Sequence, residues 1–422
     1  MGTSVEDQRE SGSGGVRCER DMRKNELRTP CFVVQERRLR ENLEILREVC
    51  RDTGCKILLA QKAFSMYRVY PLIGEYLNGA TASGLYEARL GYEEMGKENH
   101  IFSPAYKEAE MPEILSLCDH IVFKSPAQFK KYKDMVKAAG KSAGLRVNPE
   151  CSTQEGHAIY DPCAPFSRLG TTAEKFRAEM TETDLADLDG IHFHTLCEQN
   201  SDDLEVTFEA VEEKFGEYLG RMKWINFGGG HHITRPDYDR ERLKRCIRHV
   251  QETYGVQVYL EPGEAVALNA GILLTEVQEI VENGMKIAIL DTSAACHMPD
   301  VLEMPYRPPL KDAEPTGGEA DAEIPTTETE INTNTEKRTG RGRFVYRLAG
   351  PTCLAGDVIG DYSFARPLEI GDRLEFQDMA IYTMVKTNTF NGMKLPDIVL
   401  EREDGAYEMV KTFGYEEFKT RL

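Results

Sequence analysis

KILLAQK, residues 56–62, is the stretch on which the fold turns. Five residues of apolar, strand-length character are followed, two positions on, by a lysine. The same texture recurs downstream in ATAS (80–83), HIFSP (100–104), HIVFKS (120–125), GLRVNP (144–149), GIHFHT (190–195), KWINFGGG (223–230) and VQVYLEP (256–262), which makes eight runs. Amphipathic segments such as YRVYPLIGEYL, LYEARLGYEEMG and LEVTFEAVEEKFGEYLG lie between them. A strand followed by a helix, repeated eight times, predicts an α/β fold of the (β/α)8 barrel type. Barrel enzymes build their sites at the C-terminal strand ends. Here those ends carry Lys62, Ser83, Ser103, Ser125, Asn148, His194, the triplet Gly228, Gly229 and Gly230, and Glu261.

Beyond about residue 268 the pattern changes. GILLTEVQEIVE, KIAILDTS, FVYRLAGPTC, RLEFQDMAIYTMV and DIVLERED read as strands without regular helices between them, so residues 269–422 are expected to form a separate β domain. The barrel is expected to occupy residues 28–268, with the first strand, 29–36, able to join the β domain instead. Residues 1–27 are polar and Gly/Ser-rich and are expected to be a disordered tail. Residues 311–343 hold almost no large apolar side chains and are expected to be a disordered acidic insertion.

The bulk properties narrow the function. A formal charge of −19 argues against non-specific binding to nucleic acid or to anionic membranes. It suits a cationic ligand, although solubility alone accounts for it as well. Eleven cysteines, an odd number with no CxxC pair, suggest reduced thiols and a cytoplasmic protein. No apolar run approaches the ~20 residues of a membrane helix, and the N-terminus lacks the apolar core of a signal peptide.

Five groups invite chemistry. Lys62 at a strand end can turn into the barrel mouth, where desolvation frees its amine for a carbonyl, although most lysines lie on surfaces. Three glycines after the seventh run let a backbone cradle approach an anion, or are a flexible turn. Glu261 can hold a ring nitrogen protonated, or belong to a Glu-Pro-Gly turn. His192 and His194 share one strand face. With no third ligand at suitable spacing, no metal is expected, and His194 is better placed to pack on a flat ring. Cys353, in the turn GPTCLAGD, is a candidate proton donor beside Asp357, or a structural thiol.

These motifs together resemble the fold-type III pyridoxal-phosphate decarboxylases, which share the architecture of alanine racemase and ornithine decarboxylase. The likeness is strongest to the carboxynorspermidine/carboxyspermidine decarboxylase branch. It is carried by TPCFVV (29–34), LLAQKAFS (58–65), ASGLYEA (82–88), IFSPAYKE (101–108), RLG (168–170), GIHFHTLCE (190–198), MKWINFGGGHHIT (222–234), YLEPGEAV (259–266), ILDTSAACHMPDVLEMPYR (289–307), GPTCLAGDVIGDY (350–362) and YTMVKTNTFNGMKLPD (382–397). The resemblance implies pyridoxal 5'-phosphate as cofactor, a Schiff base on Lys62, His194 against the ring, Gly228 to Gly230 and Tyr382 at the phosphate, and Glu261 at the ring nitrogen and substrate. It implies that Asp300 binds the substrate, that Asp357 lies near its distal amine with Asp291 as a weaker candidate, and that Cys353 acts from the partner subunit of a homodimer. The implied reaction removes CO2 from a carboxylated polyamine. The alternatives are another decarboxylase or racemase on this fold, of diaminopimelate or ornithine type, and a non-catalytic cofactor-binding homologue. Gln61, before the lysine, departs from the expected small or apolar residue and is expected to tune the pocket.

Overall fold

The computed structural model describes residues 22–154, 158–316 and 344–422. Eight parallel strands close into a barrel: β2 (Lys56–Ala60), β3 (Gly79–Ala82), β4 (Glu98–Phe102), β5 (His120–Phe123), β6 (Ser142–Arg146), β7 (Gly190–His192), β8 (Trp224–Asn226) and β9 (Gln257–Leu260). β2 pairs with both β3 and β9, which completes the circle.

Alternation along each strand sorts its side chains. In β2, Ile57 and Leu59 face outward into the core shared with the surrounding helices, while Leu58 faces the barrel interior. In β9, Val258 and Leu260 pack outward and Tyr259 inward. The helices supply apolar stripes at the matching period, such as Leu39, Leu43, Leu46 and Val49 of Glu36–Thr53, all buried. A Gly54 in the left-handed conformation, φ 71°, ends that helix.

The interior is filled, not hollow. Trp224 lies across it, and its indole N–H donates to Ser142 Oγ at 2.9 Å. Glycines on the two preceding strands make room for the ring. A Cβ on Gly190 would sit 2.1 Å from Trp224 Cδ2, and one on Gly144 would sit 2.3 Å from Cη2. Gly190→Ala is therefore expected to destabilise the protein by about 3 kcal/mol, read as a lower denaturation midpoint at unchanged slope. At the N-terminal end of the barrel, Glu98 accepts hydrogen bonds from Lys56 Nζ at 2.8 Å and Tyr259 Oη at 2.6 Å and meets His100 Nε2 at 3.0 Å. This end of a barrel commonly serves stability.

The second unit is a nine-stranded sheet built from β1 (Cys31–Gln35), β10 (Gly271–Asn283), β11 (Met285–Leu290), β12 (Ala313–Pro315), β13 (Phe344–Ala349), β14 (Val358–Phe364), β15 (Arg373–Gln377), β16 (Asp397–Glu401) and β17 (Tyr407–Lys411). Its order is β12-β14-β13-β11-β10-β1-β16-β17, with β15 also on β10. β1 thus belongs to the sheet, lying antiparallel to β10 and parallel to β16. Both of its faces are buried, Phe32 in one cluster and Cys31 and Val33 in another.

Two boundaries need correction. Residues 22–27 are not a free tail: Met22 bridges to Tyr407, Lys24–Glu26 form a short helix, and Leu27 is buried. Likewise Ala313–Pro315, at the start of the expected insertion, form β12 and pair with β14. In both cases a few apolar or strand-compatible residues find partners remote in sequence. The rest of the expected tail, 1–21, and of the insertion, 317–343, lies outside the described residues. The expected strand RLEFQDMAIYTMV also stops at Gln377 and continues as turns. No helix among the described residues is long and apolar enough to cross a membrane.

Candidate active site

The alternation that builds the barrel also builds its mouth. Residues two apart share a face, so Leu58 points Lys62 inward, Tyr259 points Glu261 inward, and Trp224 points Asn226 and Gly228 inward. On β6 and β7 the same rule brings in Arg146 and the pair His192 and His194. These strand ends open into a cavity of about 430 Å³ whose lining includes Lys62, Arg146, His194, Cys197, Gly230 and Tyr382. The loop 159–169 covers one side, with Tyr160 and Arg168 facing in.

Lys62 keeps solvent access at the cavity mouth, and desolvation by the surrounding protein, reinforced by the nearby Arg146 cation, lowers its pKa. The Glu261 charge acts in the opposite sense on the same amine. Glu261 is held from two sides, by Asn226 Nδ2 donating at 2.8 Å and by His192 Nε2 at 3.3 Å. Burial alone would push its carboxyl up, but the His192 and Asn226 hydrogen bonds and the neighbouring histidines bring it down to about 2. It is therefore an ionised carboxylate across the working pH range. His194 is held neutral by burial and by the Lys62 and Arg146 charges. Its Nδ1 accepts the Gly229 N–H at 3.3 Å, which leaves the ring standing beside the glycine loop.

The glycines are there for space. A Cβ on Gly228 would sit 2.6 Å from His194 Cβ, on Gly229 2.7 Å from Glu261 O, and on Gly230 2.1 Å from Leu196 O. Gly228 and Gly230 also take φ of 70° and 84°. Among the described residues the Gly230 N–H has no acceptor. Tyr382 reaches the cavity from the sheet domain, and its backbone N–H donates to Ala63 O at 2.7 Å, beside the lysine. A cavity-lining amine of lowered pKa, a neutral flat imidazole, an ionised carboxylate and a glycine cradle fit the aldehyde, ring, ring nitrogen and phosphate of pyridoxal phosphate in turn.

Other expectations are corrected. The Asp357 carboxylate is used within its own domain: Ser293 Oγ donates at 2.9 Å, Thr352 Oγ1 at 2.6 Å and Ala295 N at 3.3 Å. It ties the 350–357 turn to the segment at 293–295. Asp291 likewise accepts from Thr275 Oγ1 at 2.6 Å and Glu276 N at 3.0 Å, closing the β10–β11 pairing. Gln61 does not tune the pocket. It lies on the outer face with Ile57 and Leu59 and accepts from Tyr70 Oη at 3.1 Å. Cys353 is exposed and absent from the cavity lining; its N–H donates to Asn391 Oδ1 at 3.3 Å. Ser125 is a helix N-cap, accepting from Gln128 N. Asp300 borders the site, acting electrostatically on Tyr160 and Tyr382, and is ion-paired with Lys386.

Sequence reasoning passed over Arg146 and Asn226. Arg146 is buried, donates to His194 O at 3.2 Å, and its guanidinium lies 4.6 Å from the Phe102 ring centroid. The available signals were a cation inside the apolar run GLRVNP and an asparagine two residues before the glycine triplet. Among the described residues, two groups have metal-compatible spacing, Glu98 with His100 and His120, and Glu198 with His232 and Glu264; neither includes His192 or His194.

The family model for pyridoxal-dependent decarboxylases, C-terminal sheet domain, matches residues 31–380. The chain is 44% identical to the carboxynorspermidine/carboxyspermidine decarboxylase of Campylobacter jejuni, over 94% of this chain and 98% of that protein. It is 39% identical to the carboxyaminopropylagmatine decarboxylase of Synechocystis, over 95% and 97% respectively. The crystal structure of Campylobacter jejuni carboxynorspermidine decarboxylase complexed with norspermidine superimposes with a TM-score of 0.84 at 42% identity, covering 94% of this chain and all of that one. Diaminopimelate decarboxylase from Helicobacter pylori shares the fold, with a TM-score of 0.74 at 15% identity.

Proposed function

Starting from the chain's membership of the pyridoxal-dependent decarboxylases, to which it belongs, we propose that it removes CO2 from carboxynorspermidine or carboxyspermidine, yielding norspermidine or spermidine in polyamine biosynthesis. The observation that carries this reading is the cavity lined by Lys62, His194, Gly230 and Tyr382, with the ionised Glu261 carboxylate acting electrostatically on the lysine amine. Two relatives at 44% and 39% identity, both named for carboxylated polyamine-like substrates, support the substrate class.

Lys62 would hold the cofactor covalently through Nζ, His194 would lie against its ring, and Gly228 to Gly230 with Tyr382 would hold its phosphate. Bound there, pyridoxal phosphate supplies an electron sink for the pair left at Cα when the carboxylate departs. Glu261 would hold the ring nitrogen protonated. Arg146 braces His194 through its carbonyl. The lowered pKa of Lys62 would favour the free, nucleophilic amine that product release requires. A proton must then reach Cα, and Cys353 is the donor in this reading. Its exposure outside its own chain's cavity suits delivery into a second copy, and exposed Leu354 and Phe390 beside it suit a homodimer contact. Asp300 would receive a distal ammonium of the substrate. The ten cysteines of the described residues are all free, which fits a cytoplasmic enzyme.

The test is CO2 release from carboxynorspermidine, carboxyspermidine, ornithine and diaminopimelate by the cofactor-loaded enzyme. Turnover of the two carboxylated polyamines, at kcat/KM at least about 100-fold above the others, is the expected result. Turnover of diaminopimelate alone overturns the reading.

A further inference from the structure

We propose that Lys386 is a specificity-determining residue, whose ammonium occupies the Asp300–Glu303 carboxylate pair as an internal stand-in for a substrate amine and is displaced when the cationic tail of a carboxylated polyamine enters. The proposal rests on the polyamine reading above and adds to it a competitor built into the chain.

The geometry is as follows. Lys386 Nζ is paired with both Asp300 and Glu303, carboxylates of one short helix, Asp300–Glu303. Lys386 sits one turn after Tyr382, to whose carbonyl its N–H donates at 2.9 Å. Tyr382 and Tyr160 line the cavity, and Asp300 acts on both, so the carboxylate pair borders the mouth that a long substrate must cross. The Asp300 side chain is 17% exposed and that of Lys386 32%, so the lysine can swing outward while the aspartate stays where it is.

A lysine side chain is a compact ammonium on a flexible four-carbon stem, chemically close to the aminopropyl arm of a polyamine. With Lys386 in place the cluster carries a net charge of −1; with it withdrawn, −2. Partly exposed ion pairs are weak and can be exchanged. A substrate carrying a tail cation can take the place of Lys386 at Asp300, and one without a cation cannot. The same exchange run backwards, Lys386 returning to Asp300, loosens the product amine and favours its release.

The test uses the cofactor-loaded enzyme and two neutral variants, Lys386→Met and Lys386→Gln, so that a packing defect in one is checked by the other. Both are expected to lower KM for carboxynorspermidine and the inhibition constant of norspermidine together, by about three- to tenfold, without raising kcat. Isothermal titration with norspermidine should show the same tightening without turnover. Unchanged or weaker polyamine binding in the variants overturns the proposal and leaves Lys386 as a brace for the Asp300 helix. A wild-type enzyme that releases no CO2 from carboxynorspermidine overturns the functional reading instead, while the norspermidine titration still decides the role of Lys386.

Discussion

Lys62→Ala is expected to lower kcat by at least about 10⁴-fold, because the lysine is at once the cofactor's covalent anchor and the nucleophile that frees the product. The loss should come with a chemical signature. Borohydride treatment of the loaded wild type should leave a permanent cofactor adduct on Lys62, detected by peptide mass, and none on the variant. Added methylamine should restore part of the activity, since the missing group is an amine.

Glu261→Gln is expected to lower kcat by about 10³-fold while cofactor remains bound, because a neutral amide does not hold the ring nitrogen protonated. The pH profile separates this role from a packing role. Glu261 is depressed to about 2 from an ordinary 4.5. A carboxyl with a lowered folded pKa contributes stability above its unfolded value, and that contribution fades as pH falls from 4.5 through about 2. Glu261 therefore stays ionised throughout pH 5–9, and the acid limb of wild-type activity should not report it. Glu261→Asp, one methylene shorter, keeps the charge and should recover part of kcat; equal loss in Gln and Asp would argue for shape over charge. The visible spectrum of bound cofactor should shift in Gln and stay near wild type in Asp.

Much of the site was legible because it follows a local rule. Period-two alternation is a property of each strand alone, so KILLAQK and VQVYLEP made Lys62 and Glu261 candidates at strand ends, and Leu58 and Tyr259 in the same register lie in the barrel interior. The glycine triplet could be read for the same reason, since its role depends on having no Cβ at a strand end. Gln61 was misjudged when the same rule, carried one residue back, turns it outward toward Tyr70. Arg146 was missed because an apolar run was read for its strand and not for its exception.

The acidic residues were not legible to that degree. Asp357, Asp291 and Asp300 look alike in sequence, each a carboxylate in a polar turn, and their fates diverge on contacts between distant segments. Asp357 meets Ser293, 64 positions away, and Asp300 meets Lys386, 86 positions away. The sequence by itself determined the barrel, its order of strands and the inward-facing groups at their ends, because these come from periodicity within short runs. Only the tertiary structure decided which carboxylates are already satisfied, which lysine pairs with Asp300, and that β1 joins the sheet, because a partner for a charge or a strand edge is set by how loops close over long separations.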